Sequence, residues 1–405
     1  MGTATTNGVR SDSSRPRRVL IRTFPPSTNA NYGGILQAWA LQRTLSDLGY
    51  EAIVDSTRTD RRRRRGDAAA RRALTLLGSL VPWRAVPSFA RNRVFRHYLD
   101  SRILSFAPRN IPMVALYRRS GEVDAHVVST FGAFVAGSDQ VWRPRYVHVP
   151  TYLFDFLPDE FAGPRVAYAA SFGTESPEFD DDLIARTAPL ARSLTAASVR
   201  ESIGVQLCRD LWGIDAVQMP DPTTLVDVEE YRAFASDTKV AASRPYVASY
   251  LIDRTPAAVS VETAVSRARR LPARDALRRP NGLVSWRTRA REFRKPAVEE
   301  WLALLSSADT IVTDSFHGCV FAVLFERPFV VVANEARGRA RFESFLSGVG
   351  LLDRLVTDER DVERVLGVAP DWSVARAWLS TNRTRARSYL RGALDDQPPV
   401  VGAPS

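Results

Sequence analysis

His317 stands where a run of strand character, Thr310 to Thr313, gives way to a helix, in the segment Asp314-Ser315-Phe316-His317-Gly318. Free backbone N–H groups and the positive end of the helix dipole favour an anion at such a junction. A phosphate can be held there without a metal. Ser315 is placed to cap the helix and offer its hydroxyl, and the imidazole of His317 can supply or accept a proton near neutral pH. A structural histidine at a helix start is the plainer alternative. Arg200 ends a second strand, and its planar guanidinium suits a carboxylate or phosphate gripped by two bonds; a salt bridge between lobes would use it equally well. Asp139 and Gln140 end a third strand. Asp139 is a candidate acid or base and Gln140 a sugar ligand, set against an Asp-capped turn with Trp142 in the core. Arg337 and Arg341 follow a later strand and extend the anion site, unless Arg337, Arg339 and Arg341 form a solvated face. Asn31 and Gly33, at the mouth of the first helix, and Gly318 complete the candidate substrate-binding set. Cys319 lies two residues from His317, and side chains two apart on a helix diverge, so the pair is not read as nucleophile and base. His97, His126 and His148 have no comparable setting. No metal-ligand cluster is visible, and neither a metal nor a cofactor is expected.

These residues need strands that empty into loops, and the chain supplies them repeatedly. Val19 to Arg22 reads as a buried strand, Asn31 to Leu48 as a helix with apolar residues Ile35, Ala38, Leu41, Leu45 and Leu48, and Glu51 to Asp55 as a second strand. Further apolar runs precede Gly137-Ser138-Asp139-Gln140-Val141-Trp142, Ser171-Phe172-Gly173, Arg200-Glu201-Ser202 and Asp221-Pro222-Thr223. Alternating strands and helices predict a largely parallel sheet covered on both faces, with ligands at the carboxyl ends of its strands. After the polar stretch Asp227 to Ser243, a strand over Tyr246 to Ile252 opens a second module. Asp253 to Lys295 is rich in Arg and Pro with no convincing period. A helix from Val298 to Ala308, the His317 segment and a strand Phe329 to Ala333 then follow, and Trp372 to Leu394 is read as a helix across one lobe. The expected division is a polar leader over 1–18, a first lobe over 19–240 with a basic insertion at 58–97, a second lobe over 241–371, a helix over 372–394 and a loose tail over 395–405.

Length and composition agree with this plan. A chain of 405 residues exceeds one ordinary core. With 45% hydrophobic and 25% charged residues it reads as a globular protein, and no apolar run approaches the ~20 residues that span a bilayer. No signal peptide opens it, and its 2 cysteines exclude a disulfide framework, so a cytoplasmic location is expected. A net charge of +11 calls for an anionic partner: a phosphorylated substrate, an acidic membrane surface or nucleic acid. Five consecutive arginines, Arg61 to Arg65, followed by leucines and Trp83, fit a helix lying on an anionic membrane; a solvated insertion packed on its own domain is the preferred reading.

Asn31-Tyr32-Gly33-Gly34-Ile35-Leu36-Gln37-Ala38, the Gly137 to Trp142 segment, Ala169-Ala170-Ser171-Phe172-Gly173, Val199-Arg200-Glu201, Asp221-Pro222-Thr223 and Thr313-Asp314-Ser315-Phe316-His317-Gly318, in this order, resemble the polysaccharide pyruvyl transferase family. The likeness runs from about Val19 to Leu394. It implies an α/β enzyme of two Rossmann-like lobes facing a cleft, GT-B-like, with phosphoenolpyruvate as donor and a sugar of a cell-envelope polysaccharide or its lipid-linked precursor as acceptor. It also implies donor binding and catalysis by the residues matched by Arg200 and His317. Cys319, where a small hydroxyl residue is common, and the arginine-rich insertion depart from the pattern. No nucleic acid partner is expected. A nucleotide-sugar glycosyltransferase on the same fold and a non-catalytic binder of anionic surfaces are the competing readings.

Overall fold

The structure is a computed structural model that describes residues 17–57, 98–118, 120–236, 238, 244–277, 294–333 and 339–395. Arg337, His97, and the basic insertion from residue 58 onward lie outside the described residues, as do the leader before residue 17 and the tail after 395.

Strands that are apolar on both faces must be covered twice, and two such sheets form. The first holds β1 (Arg18–Arg22), β2 (Glu51–Asp55), β3 (Met113–Val114), β4 (Ala133–Asp139), β5 (Arg165–Ala170), β6 (Ala196–Val199) and β7 (Val217–Gln218), in the order β3-β2-β1-β4-β5-β6-β7. The second holds β8 (Val247–Tyr250), β9 (Ala273–Asp275), β10 (Thr310–Thr313), β11 (Phe329–Val332) and β12 (Leu355–Val356), in the order β12-β11-β10-β8-β9. Every pairing in both sheets is parallel. The principal helices are α1 (Tyr32–Asp47), α2 (Asp181–Arg192), α3 (Ser202–Trp212), α4 (Val228–Ser236), α5 (Pro256–Arg269), α6 (Val298–Ser306), α7 (Phe316–Leu324), α8 (Arg339–Gly348) and α9 (Trp372–Leu394). The molecule is therefore an α/β protein of two doubly wound lobes. In each sheet the winding direction reverses once, between β1 and β4 and between β8 and β10, which are the topological switch points where this architecture binds ligands.

Three segments differ from the sequence reading. The polar stretch after Asp227 contains α4, whose Tyr231 and Ala235 are buried and which packs on α6. The Arg- and Pro-rich stretch after Asp253 contains α5 and β9. Thr255 caps α5 by accepting from the Ala258 N–H at 3.2 Å, and Pro256 sits at the first helical position, where a proline starts a helix and does not break one. Ala258, Val261 and Val265 are its buried stripe. Finally β4 continues past Ala136 to Asp139, so Gly137, Ser138 and Asp139, read as loop, are the last residues of a strand.

Aromatic packing joins the lobes. Tyr32 of α1 stacks on Trp301 of α6 with ring centroids 4.9 Å apart and donates its hydroxyl to the Pro296 carbonyl at 2.8 Å. Tyr250 and Phe321 meet Trp301 edge-on at 5.1 and 5.2 Å. The helix α9 straps the pair: Trp378 packs on Phe345 of the second lobe, while Tyr389 donates to the Ala167 carbonyl of β5 and Arg383 donates to the carbonyls of Thr224 and Val226. Replacing Trp301 with Ala should cost about 3–5 kcal/mol, the usual toll of emptying a buried tryptophan site, measured by urea unfolding. A loss below about 1 kcal/mol would mean that the lobes do not share this core.

Candidate active site

The two switch points open into one cavity of about 1080 Å³. The first lobe contributes Asn31, Asp139 and Gln140 to its wall, and the second contributes Asp314, Ser315, His317 and Arg341. Local chemistry fixes each of them. Asn31 caps α1 by accepting from the Gly34 N–H at 3.3 Å, and Ser315 caps α7 by accepting from the Gly318 N–H at 3.5 Å. Gln37 of α1 accepts from the Ser138 N–H at 3.1 Å and donates to Thr23 at 2.7 Å, which ties the helix to the ends of β1 and β4. The Asp314 carboxylate accepts from the N–H groups of Ile252 and Asp253 at 2.6 and 2.7 Å, closing the corresponding gap between β8 and β10. Two helix mouths thus meet in the cleft, an arrangement that favours an anionic ligand between them.

Gly33 is what lets the mouths approach. A Cβ there would lie 2.0 Å from His317 Nδ1, so the first turn of α1 rests directly against the imidazole. Gly318 has a similar constraint on the other side, where a Cβ would lie 2.2 Å from Thr313 Oγ1 and 2.8 Å from the Tyr250 ring. Both glycines, expected to bind substrate, make room for packing, and neither lines the cavity.

Behind the cavity wall lies a buried charge cluster. Asp221 accepts from the Thr223 N–H and hydroxyl at 3.0 and 2.7 Å, and from Arg200 Nη1 at 3.0 Å. Its Oδ2 is 3.5 Å from His317 Nε2. Burial alone would raise the Asp221 pKa, but the approach of His317, the charge of Arg200 and the hydrogen bond from Thr223 outweigh it and hold the carboxyl well below its ordinary range. Arg200 also donates from Nε to Glu201 at 3.0 Å, and its Nη2 lies 3.8 Å from Asp139 without a hydrogen bond. Burial opposes its charge, yet Glu201, Asp221 and Asp139 more than compensate and raise its pKa. The guanidinium covers the Phe316 ring at 4.6 Å. Arg341 differs: burial first and Arg200 second push it down to about 10, against the opposing pull of Glu201 and Asp139, so it is still a cation at neutral pH.

His317, Asp139, Gln140, Ser315, Asn31 and Arg341 therefore come together, as sequence spacing implied. Arg200 stands apart from them. It does not line the large cavity but a neighbouring pocket of about 240 Å³ behind Phe316, with its hydrogen bonds directed to Glu201 and Asp221. Asp221, the centre of the cluster, was read only as part of a loop. Its signal was the Asp-Pro-Thr triplet, an aspartate that bonds its own backbone two residues on and stays charged. His148, set aside because no strand end precedes it, lines the cavity. Both cysteines are buried; burial pushes Cys208 up to about 12 and raises Cys319 further, so neither thiol is a nucleophile. Among the described residues no group of His, Cys, Asp and Glu is arranged for a metal, and no helix is long and apolar enough to cross a membrane.

Two consequences can be measured. Because the folded-state pKa of Asp221 lies below its unfolded value of 3.8, its stabilisation is complete above that value and disappears as pH falls through the folded one. Acid unfolding of Asp221→Asn should accordingly be flatter than that of wild type below the ordinary carboxylate range; superimposable acid limbs would contradict the pairing. Gly33→Ala should fold, as an alanine suits a helix, yet lose ligand binding at the displaced imidazole. Unchanged binding in that variant would show that His317 can yield without consequence.

Comparison with known proteins gives three findings. The family model for polysaccharide pyruvyl transferase matches residues 31–336. No curated protein matches the chain significantly in sequence. Among solved structures, a putative UDP-N-acetylglucosamine 2-epimerase from Listeria monocytogenes is 9% identical, with 95% of this chain and 98% of that one covered and a TM-score of 0.49. The UDP-GlcNAc 2-epimerase of Neisseria meningitidis is 8% identical over 94% and 100% of the chains with a TM-score of 0.47. The wall teichoic acid polymerase TagF is 11% identical over 96% and 85% with a TM-score of 0.41. With the family model covering well over half of its length, and the quoted motifs lying at or just after the ends of β1, β4, β5, β6, β7 and β10, the chain belongs to the polysaccharide pyruvyl transferase family.

Proposed function

We propose that this protein transfers the enolpyruvyl unit of phosphoenolpyruvate to a sugar hydroxyl and closes a cyclic pyruvate ketal, releasing phosphate. The observation that supports it best is the partnership of His317 with Asp221, Nε2 to Oδ2 at 3.5 Å, in a cavity that also exposes Arg341, Asp139 and two helix mouths. Phosphoenolpyruvate carries a phosphate and a carboxylate, which need cationic and N–H partners. Arg341 and the first turn of α7, with the Ser315 hydroxyl, are suited to them.

The chemistry follows from the same groups. A sugar hydroxyl attacks carbon 2 while carbon 3 takes a proton and becomes a methyl group. His317 is the proton donor, its imidazole at the cavity wall with Nε2 3.5 Å from the Asp221 carboxylate. Asp139, which accepts from the Gln140 N–H at 2.9 Å and faces the cavity, orients the attacking hydroxyl or takes its proton. The bond from carbon 2 to the phosphate oxygen then breaks, phosphate leaves with its electron pair, and a second hydroxyl of the sugar adds to the oxocarbenium centre and loses its proton. Arg200, held behind Phe316, helps keep Asp221 charged and in place. A cytoplasmic reaction near the inner membrane face suits a donor made in that compartment and an acceptor assembled on a lipid carrier.

Isothermal titration with phosphoenolpyruvate, alongside UDP-sugars, separates this reading from nucleotide-sugar transfer. Wild type should bind phosphoenolpyruvate, and Arg341→Ala should weaken it about tenfold or more, the loss expected for one charge-assisted contact. With an acceptor present, His317→Ala should fold normally and release phosphate about 10²- to 10⁴-fold more slowly. Binding of a UDP-sugar in place of phosphoenolpyruvate would overturn the proposal.

A further inference from the structure

Among the described residues a single Phe, Tyr or Trp side chain is exposed, and it lies in the cavity. Tyr146 is 51% exposed and lines the wall beside Arg145 and His148, in the loop that follows β4. Exposed aromatics on a folded surface are commonly mobile, but this one is built into place. Trp142, at the start of the loop, is fully buried between Phe172 and Trp212. Arg143, only 4% exposed, donates to Glu178 Oε1 from Nε and Nη2 at 3.2 and 2.9 Å and to Gln140 Oε1 at 3.1 Å. Its guanidinium lies 4.7 Å from the Tyr146 ring centroid and donates to the Tyr146 hydroxyl at 3.4 Å. Glu178 also accepts from the Arg145 N–H at 3.3 Å, while the Tyr146 N–H returns to the Arg143 carbonyl at 3.0 Å.

A tyrosine held this way, one face covered by a buried cation and half of its surface open to a cavity, is a rigid platform. The C–H groups on the apolar face of a pyranose carry slight positive charge and rest favourably on an aromatic face, and a pre-ordered ring loses little entropy on binding. Beside it the side chains of Arg145 and His148 are exposed and make no hydrogen bond or ion pair with another described residue. The cavity, about 1080 Å³, is at the upper end of what holds a drug-sized ligand and far exceeds the needs of a three-carbon donor at His317.

Resting on the pyruvyl-transfer reading, we infer that the loop Arg143 to His148 is the acceptor platform, on which Tyr146 takes the apolar face of a pyranoside and Arg145 and His148 take an anionic group that the acceptor carries. The donor then lies against α7 and the acceptor against the loop after β4.

Saturation-transfer NMR on the full chain, with methyl β-D-galactopyranoside and α-D-galactose 1-phosphate as neutral and anionic probes, tests this, with phosphoenolpyruvate titrated separately. Both sugars should bind, the phosphate about tenfold more tightly, in keeping with one charge-assisted contact. Tyr146→Ala should weaken both about tenfold, Tyr146→Phe should retain both, and Arg145→Ala should erase the preference for the phosphate. Phosphoenolpyruvate affinity should not follow Tyr146. Absence of sugar binding, or sugar binding indifferent to Tyr146→Ala, overturns the inference, as does an equal loss of phosphoenolpyruvate affinity in that variant. Tyr146-dependent sugar binding by a wild-type protein that ignores phosphoenolpyruvate would keep the platform and remove the donor.

Discussion

A buried arginine surrounded by three carboxylates constrains everything in the cleft. Arg200 is almost fully enclosed, and Glu201, Asp221 and Asp139 approach it at 3.0, 3.0 and 3.8 Å. Charges removed from water to this extent persist only when they are paired, and deleting one partner of such a cluster commonly costs about 3–5 kcal/mol. The pairing decides geometry as well as stability. Asp221 is oriented toward His317, Asp139 is held at the cavity wall, and Phe316 is fixed beneath the guanidinium so that α7 begins where it does.

The consequence is a division of labour between two arginines. Arg200 has neighbours that balance its charge, whereas the environment of Arg341 opposes charge and lowers its pKa. Arg200, expected as a substrate clamp from its place at a strand end, directs its hydrogen bonds to Glu201 and Asp221. Arg341 shares the large cavity with the mouth of α7, His317 and Asp139.

The alternation of apolar strand runs with helical periods made the two lobes legible, because a parallel sheet covered on both faces leaves that pattern in the chain. The site was legible where a residue's position on an element decides its fate: His317 and Ser315 at a helix start, Asp139 and Gln140 at a strand end. What depends on contacts between distant segments was not. Asp221 and His317 are far apart in sequence and meet only through the packing of the lobes. His148 and Tyr146 reach the cavity through the Arg143–Glu178 anchor, which no local pattern announces. The helices α4 and α5 were hidden for another reason, since short apolar stripes such as Ala258, Val261 and Val265 are diluted by the arginines on the solvent side.

The proposed pyruvyl transfer rests on one claim of placement, that the donor sits against α7 and Arg341 in the large cavity. A crystal structure of the protein with phosphoenolpyruvate tests it most directly. The account requires the phosphate or carboxylate within hydrogen-bonding reach of Arg341 and the first turn of α7, with His317 beside carbon 3 of the donor. Density for the donor behind Phe316, against Arg200, would contradict it.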